Sequence, residues 1–423
     1  MRSPTFKLLA IAGVPLLIAG LPMAAHYWIK AAEVRRWEQM RTRLLELAEA
    51  MRARETKRPV LRGESVPGNA WEDYEAAFQS VGKASDLYPA GNYLDGDLRV
   101  SRYDVVLLLV NHRDALAAIR KGASRERMSR PIYWEAGLPK FNSSAYPLSA
   151  LADIQARFLA EDGRQREALE LLLDTAQYGL DFGRNVNLLH FYVGLGIVNT
   201  AMDELRGLFL SDELSREDLE EADRELKLLE DNFPKAAEDR LDVLSSGFTF
   251  LRERTLAGIL KYYEMRSETI STWRFGFSER LVIVDAFETA DSADRRIRQA
   301  KERPWKESAA LQEMISREFA TDGNSLVRRV YGPYDGKVER PARDPFRESL
   351  VRLRLIRLAV HHAATGELLE LDDPFGDKLQ SSRTSDELKL WSIGGNGIDD
   401  LGEGEWKPAR TKDVVLKVPL RKK

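Results

Sequence analysis

The residues best suited to chemistry lie in the segment LWSIGGNGIDDLGEGEW, Leu390 to Trp406. Its glycines free the backbone to adopt positive φ angles. Its side-chain oxygen atoms are of the kind that Ca²⁺ takes as ligands. The segment therefore has two interpretations, a metal-binding loop or a glycine turn without metal. The oxygen-bearing side chains are Asn396, Asp399, Asp400, Glu403 and Glu405.

The histidines do not form a catalytic or metal-binding pattern. The HRD triplet at His112 has none of the companion motifs of a kinase. His190 lies in an apolar helical segment, which is typical of a histidine in a protein core. His361 and His362 are adjacent on a predicted helix and point in different directions. This spacing does not suit two ligands of one metal ion.

Catalytic motifs that can be recognised from spacing are absent from the sequence. There is no GxSxG nucleophile elbow, HExxH helix or phosphate-binding loop. Acid pairs such as Asp153 with Glu161, or Glu220 with Glu221, resemble solvated helix faces. We therefore expect a non-enzymatic protein that takes part in protein interactions or has a structural role. The sequence identifies no small-molecule substrate for it. The alternative is a hydrolase whose carboxylates converge in a pocket of the helical body.

Composition indicates a folded protein without a strong charge bias. The 423 residues are 43% hydrophobic and 31% charged, the balance of globular domains. The 64 basic and 67 acidic side chains nearly cancel, so we expect no binding to nucleic acid. The absence of cysteine excludes disulfides and thiolate metal sites. It also suits an oxidising compartment.

The amino-terminal segment predicts a membrane anchor. Residues 8–29 carry no charge and are long enough to span a bilayer. Arg2 and Lys7 precede this run, and Tyr27 and Trp28 stand at its end, as in an interfacial aromatic belt. A cleaved signal peptide is the rival interpretation. We predict an uncleaved transmembrane helix over residues 1–30, although five basic residues just after it would, counted strictly, leave the body in the cytoplasm.

Helical periodicity then continues through most of the chain. Residues 31–58 predict a helical stalk, and the prolines and glycines that follow mark a linker. Residues 59–340 predict an irregular α-helical body built from helical hairpins. Within it, Leu148 to Leu180 resembles a single tetratricopeptide-type hairpin that turns at Gly163. Further helices are predicted at 71–81, 105–120, 188–210, 216–229 and 248–264, with a capping box at Ser215 and Asp218.

Residues 345–423 predict a small α+β module. Apolar residues recur at helical spacing from Leu350 to Val360. A turn at Asp373–Gly376 follows, then strands at about Glu387–Ile393 and Asp413–Val418. The two strands predict a short antiparallel β-hairpin on either side of the glycine-rich loop.

The succession of this helix, DPFG, LKLWSIGGNG, an acidic gap and DVV resembles the carboxyl-terminal module of the type II secretion major pseudopilin. Uncharacterised envelope proteins with a helical body and the same tail are also similar. The resemblance covers about the last fifth of the chain. The amino terminus lacks the pseudopilin processing site. The resemblance therefore does not imply assembly into a filament.

The resemblance implies a calcium ion in the loop. Asn396 matches the loop aspartate of the family and Asp413 its later aspartate, with Asp399 and Asp400 as further ligands. The carbonyl groups of Ile393 and Ile398 would be backbone ligands. Two departures from the family pattern are the amide at Asn396 and a lysine at position 412.

The sequence thus predicts a mainly α protein with a transmembrane helix, a helical body and a pseudopilin-like cap. The resemblance implies a bacterial single-pass protein of the cytoplasmic membrane, with its body in the periplasm. Its expected partners are the membrane and other proteins, and calcium is the one cofactor considered.

Overall fold

The structure is a computed structural model that describes most of the chain. It describes residues 4–52, 56–81, 83–94, 96–97, 99–130, 143–184, 188–211, 213–233, 345–407 and 413–420, with scattered positions between 283 and 315. The fold is mainly helical, as predicted, with a small antiparallel sheet near the carboxyl terminus. The chain divides into two compact units. One contains residues 1–50, 243–294 and 322–334, and the other contains 51–242, 295–321 and 335–423.

The first unit contains nearly all of helix α1, Pro4–Arg52, which joins the predicted anchor and most of the predicted stalk. The prediction of a transmembrane segment at residues 1–30 is not supported. Among the described residues, no helix combines the length and the apolar character that a membrane crossing requires.

One face of the second half of α1 is buried. Trp37, Met40 and Leu44 are buried at intervals of three and four residues, which places them on one side of a helix. On a neighbouring position, Arg36 binds Asp285 at 2.6 Å and Glu288 at 2.5 Å. These ion pairs connect α1 to another segment of the first unit.

The second unit contains the other helices whose bounds the structure gives, and two sheets. A three-stranded sheet has the order β1-β3-β2, with β1 and β3 antiparallel and β2 and β3 parallel. Its strands are β1 Thr56–Lys57, β2 Val66–Asn69 and β3 Arg125–Met128. The helices are α2 Ala70–Val81, α3 Tyr88–Leu94, α4 Arg102–Asn111, α5 Arg113–Ala123, α6 Ala145–Glu161, α7 Gln165–Phe182, α8 Leu188–Leu210, α9 Arg216–Asp231 and α10 Pro345–Thr365, with a 3₁₀ turn at Ala84–Leu87.

Several predicted helices are confirmed. The hairpin is formed by α6 and α7, with Gly163 in the turn between them. The capping box of α9 is present, because Ser215 Oγ accepts from the Asp218 amide and the Asp218 carboxylate accepts from the Ser215 amide. The single helix predicted at 105–120 is wrong, since the chain breaks at His112 into α4 and α5. The helix predicted at 248–264 lies outside the described residues.

Glycine permits the close crossing of α7 and α8. A Cβ atom on Gly194 would lie 2.5 Å from the carbonyl oxygen of Gly179, far inside van der Waals contact. Any larger residue at this point would force the helices apart. One continuous hydrophobic core includes residues of α7, α8, α9 and α10. The carboxyl-terminal helix therefore shares its core with the helical body.

The carboxyl-terminal sheet confirms the predicted hairpin and adds a strand to it. Strands β4 Gln380–Arg383, β5 Glu387–Ser392 and β6 Val414–Pro419 form an antiparallel sheet in that order. In β5, Leu388 and Leu390 are fully buried and face the core. Pairing of Ser392 with Val414 brings the two ends of the intervening loop together.

Candidate functional site

The glycine-rich loop begins at the end of β5 and returns at the start of β6. Gly394, Gly397 and Gly402 have φ angles of 66°, 67° and 71°. These values confirm that the glycines provide conformations that other residues rarely adopt. The loop therefore places the candidate ligands in one tightly turned segment.

Asp373 of the DPFG turn anchors the beginning of the loop. Its buried carboxylate accepts hydrogen bonds from the Phe375 amide (2.9 Å), the Ser392 hydroxyl (2.7 Å) and the Ile393 amide (2.9 Å). Burial raises the pKa of Asp373 above its ordinary value, while these donors act in the opposite direction. The turn thus supports the loop without exposing a reactive group.

The candidate ligand side chains mostly accept hydrogen bonds from the loop itself. Asp413 accepts from the amides of Gly402 (2.9 Å) and Asp400 (3.4 Å). Asp399 accepts from the Trp391 indole (3.0 Å) and from the Leu401 amide (2.9 Å).

Asn396 also closes the loop. Its Oδ1 atom accepts from the Ile398 amide at 3.0 Å, and its Nδ2 lies 3.4 Å from Asp400 Oδ2. Within the described part of the chain, no three histidine, acidic or cysteine side chains are grouped so that they could hold a metal ion. The oxygen atoms of this arrangement fit a hydrogen-bonded glycine turn better than a calcium site.

One feature of Asp413 remains compatible with a cation. Burial raises its pKa, and the negative charges of Asp400 and Asp399 raise it further. A bound cation would relieve that repulsion, so calcium stays a prediction that the resemblance makes.

We expect Asp413→Ala to lower the free energy of unfolding by about 1–3 kcal/mol without any metal, because two loop amides lose their acceptor. Thermal melting of the full chain, with calcium and with chelator, measures this. We expect calcium to leave the melting temperature of the wild type unchanged, and Asp386→Ala, at an exposed position of the preceding turn, serves as control. A calcium-dependent rise that Asp413→Ala abolishes would instead establish the metal site.

Trp406 attaches the end of the loop to the helical body. Its indole nitrogen donates to Asp203 of α8 at 2.5 Å, and Lys407 binds the same carboxylate at 2.6 Å. Trp406 is buried, and the guanidinium groups of Arg206 and Arg352 lie 5.6 and 5.7 Å from the centre of its ring. Sequence reasoning missed this contact, because the partners are about two hundred positions apart.

A different candidate surface is the outer face of α4. Tyr103, Val106, Leu107 and Val110 have 74%, 41%, 48% and 60% of their area exposed. Their spacing of three, four and seven residues places them in one stripe along the helix. Val105 is the buried residue of this helix. The stripe of these four side chains is called the α4 stripe below.

Arg62 joins two buried carboxylates at the side of α7 and α9. Its guanidinium binds Asp174 of α7 and Glu225 of α9, and also donates to the Glu170 carbonyl at 3.1 Å. Burial raises the pKa of Asp174 to about 6 and that of Glu225 to about 7, although Arg62 lowers both. The carboxylates converge on an arginine and are held by it.

A histidine and a carboxylate meet between α9 and α10. His361 Nδ1 lies 2.8 Å from Asp223 Oδ2, and Arg357 lies 3.5 Å from the other oxygen of Asp223. Arg357 and Arg354 each bind Glu230 at 2.7 Å. His361 thus belongs to an ion-pair network that joins two helices. Among the described residues, Nδ1 of the adjacent His362 has no hydrogen-bond partner, consistent with the prediction that adjacent histidines point apart.

No protein-family model matches this chain, and no curated protein or solved structure matches it either.

The remaining sequence-predicted residues take structural positions. His190 is buried, with its ring centre 5.5 Å from that of Phe182. His112 stands between α4 and α5. The expectation that Asp153 is solvated is wrong, because its side chain is fully buried between α6 and α8.

Proposed function

We propose that the protein is a non-enzymatic interaction component whose helical body binds another protein through the α4 stripe. The observation that carries this proposal is the exposure of four large apolar side chains along one helix face. Single exposed apolar residues are common on protein surfaces, whereas a contiguous patch marks an interaction site. A partner helix that presents apolar residues at the same spacing would cover the stripe.

The local structure supports a rigid docking surface. Ser101 and Asp104 form a capping box at the start of α4, which fixes the first turn of the helix. Arg102 lies 4.0 Å over the ring of Phe158 and binds Glu161 at 2.5 Å, so α4 is tied to α6. A helix that is held before the partner arrives costs less entropy on binding.

The proposal predicts a specific crosslink at the α4 stripe. A photoreactive amino acid at Val106 of the full chain should give a discrete adduct in cells, and Val110→Asp should abolish it. Since Val110 is exposed, this substitution should change the free energy of unfolding by no more than about 0.5 kcal/mol. The same photoreactive residue at Leu368, an exposed apolar position of the α10–β4 connection, is the control. Equal adducts at both positions would refute the proposal.

The proposed location is the bacterial envelope, with the body in the periplasm. The support is the pseudopilin resemblance of residues 345–423 and the lack of cysteine. The proposed membrane contact is on α1, where Tyr27 and Trp28 are exposed, as aromatic side chains at a lipid interface are. In this proposal the carboxyl-terminal module is a structural cap that Trp406 attaches to α8.

The alternative is a hydrolase that uses carboxylates of the helical body. The observation in its favour is the raised pKa of Asp174 and of Glu225. However, a general acid or base must reach its substrate, and Arg62 occupies both carboxylates. The ion pairs therefore support a structural role for these acids, and interaction remains the function that we propose.

A further inference from the structure

A cavity of about 290 Å³ opens between the segment that follows β1 and the end of α5. Its volume is at the lower end of the range of small-molecule sites. Apolar side chains and charged side chains line its wall. Such a wall suits a ligand that has a charged group and an apolar group. The lining residues are Val60, Leu61, Arg62, Arg120, Lys121, Ala123, Ser124 and Asp174.

Three of the four charged lining residues are cations. Two of these, Arg120 and Lys121, have N–H donors that remain for a ligand. Arg120 is 43% exposed and reaches Glu170 and Asp174 only at 3.4 Å. Lys121 is 59% exposed and binds Asp73 at 2.9 Å. An ammonium group has three donors and a guanidinium group has five. Donors of both side chains thus remain for a ligand.

The acid beside Lys121 is already shared with another cation. Arg125 binds Asp73 at 2.6 Å and lowers its pKa together with Lys121. Lys121 can therefore turn toward the cavity without leaving Asp73 unpaired. Arg62 differs, because its guanidinium is committed to Asp174 and Glu225.

The carbonyl groups at the end of α5 would otherwise repel an anion. The Gly122 carbonyl accepts from Arg58 at 2.6 Å, and the Lys121 carbonyl accepts from the Ser124 hydroxyl at 2.8 Å. These bonds offset part of the negative end of the helix dipole. The basic residues of the last turn, Arg120 and Lys121, offset it further.

The charge of the surroundings depends on two buried acids. The cations around the cavity are Arg58, Arg62, Arg120, Lys121 and Arg125, and the acids are Asp73, Glu170, Asp174, Asp181 and Glu225. Farther out, Arg166 faces Glu170, Asp218 and Glu221. Protonation of Asp174 or Glu225 removes a negative charge, and the cavity then has an excess of cations.

From this arrangement we propose that the cavity binds a small oxyanion, a carboxylate or phosphate attached to a short apolar group. Arg120 and Lys121 bind the oxyanion from the rim, as arginine and lysine bind carboxylate and phosphate elsewhere. Val60, Leu61 and Ala123 contact the apolar part. This site is independent of the α4 stripe and adds a ligand to the proposed function.

The affinity should rise as the pH falls through neutrality. Glu225 and Asp174 have pKa values of about 7 and about 6, because burial disfavours their charged forms. Below these values both carry a proton, and the repulsion of an incoming anion decreases. Butyrate is a suitable probe, since an ordinary carboxylate keeps its charge between about pH 6 and about pH 7.5.

Isothermal titration of the full chain with butyrate and with inorganic phosphate tests the proposal. We expect at least one probe to bind with a Kd below ~10 mM. The affinity for butyrate should be several-fold higher at about pH 6 than at about pH 7.5. Arg120→Gln and Lys121→Gln should each weaken binding about tenfold, the effect of one charge-assisted hydrogen bond. Both positions are partly exposed, so melting temperatures should change little.

The matched control is Arg216→Gln, which removes an exposed arginine that binds Glu220 at the start of α9. It should bind both probes as the wild type does. Binding of phosphate alone assigns a phosphate ligand, and binding of butyrate alone assigns a carboxylic acid. Absence of binding for both probes overturns the proposal, and so does undiminished binding in both cavity variants.

Discussion

Replacement of Arg58 by methionine is expected to lower the free energy of unfolding by about 3–5 kcal/mol, the cost of breaking a buried ion pair. Arg58 Nη1 lies 2.6 Å from Asp181 Oδ2, and the side chains are 1% and 0% exposed. Without Arg58, the Asp181 carboxylate keeps only the Tyr74 hydroxyl (2.7 Å) and the Gln177 amide (2.9 Å). A buried charge would then stand without a counter-charge.

Urea unfolding of the full chain, followed by circular dichroism, measures this loss. Arg164→Met is the control, because Arg164 and Glu167 form an exposed pair whose loss should cost far less stability than the loss of a buried pair. The double variant Arg58→Met and Asp181→Leu removes both charges and should recover most of the lost stability. Equal losses for Arg58→Met and Arg164→Met would contradict the role of Arg58.

The elements that the sequence predicted correctly depend on local signals. The hairpin of α6 and α7 follows from helical periodicity on each side of Gly163. The start of α9 follows from Ser215 and Asp218, since a capping box is complete within four residues. Strand β5 alternates apolar and polar residues, and β6 begins with a run of apolar residues. Both strands lie beside the glycine-rich loop. None of these features requires a distant partner.

The missed strands depend on distant pairing. Strand β2 has the sequence VPGN, whose proline and glycine are unusual in strands. Strand β1 has two residues and exists because it pairs with β3 about seventy positions later. Strand β4 is polar and is ordered by its register with β5. Periodicity cannot reveal such strands.

The candidate surfaces were also beyond the reach of periodicity. The run VVLLLV, residues 105–110, predicts burial. In the structure α4 ends before His112, and apolar residues on one side of this helix are exposed. Likewise Asp174 and Asp181 lie among apolar residues in α7, and their arginine partners precede them by more than a hundred positions. Tertiary packing decided which charges became buried.

Asp153 presents the opposite case, a buried acid whose loss should stabilise the protein. Its carboxyl group is fully buried between α6 and α8. Neither oxygen has a hydrogen bond of good geometry among the described residues, because the nearby hydroxyl of Thr200 donates to the carbonyls of Gly196 (3.1 Å) and Ile197 (3.0 Å). Arg157 is bound by Glu204 at 2.5 Å instead. An unpartnered buried polar group costs about 1–3 kcal/mol.

Burial raises the pKa of Asp153 well above its ordinary value and the nearby charge of Glu204 raises it further, although Arg157 and the Thr200 hydroxyl act in the opposite direction. The folded protein therefore holds a proton that the unfolded chain releases above about pH 4. This acid destabilises the fold increasingly as the pH rises from that value toward the folded-state pKa. The penalty that comes from ionisation is small in acid and largest at neutral or higher pH.

Asp153→Leu keeps the number and branching of the side-chain atoms and removes both the charge and the polarity. We expect it to raise the free energy of unfolding at neutral pH by about 1–3 kcal/mol. The gain should shrink as the pH is lowered toward about 4, because the part of the wild-type penalty that comes from ionisation then disappears. Urea unfolding of both proteins across this pH range measures the difference, from which the contributions of other acids cancel.

Asp153→Asn, which removes the charge but leaves an amide without partners, should give a smaller gain. A loss of stability in Asp153→Leu at every pH would show instead that the carboxyl group holds α6 against α8.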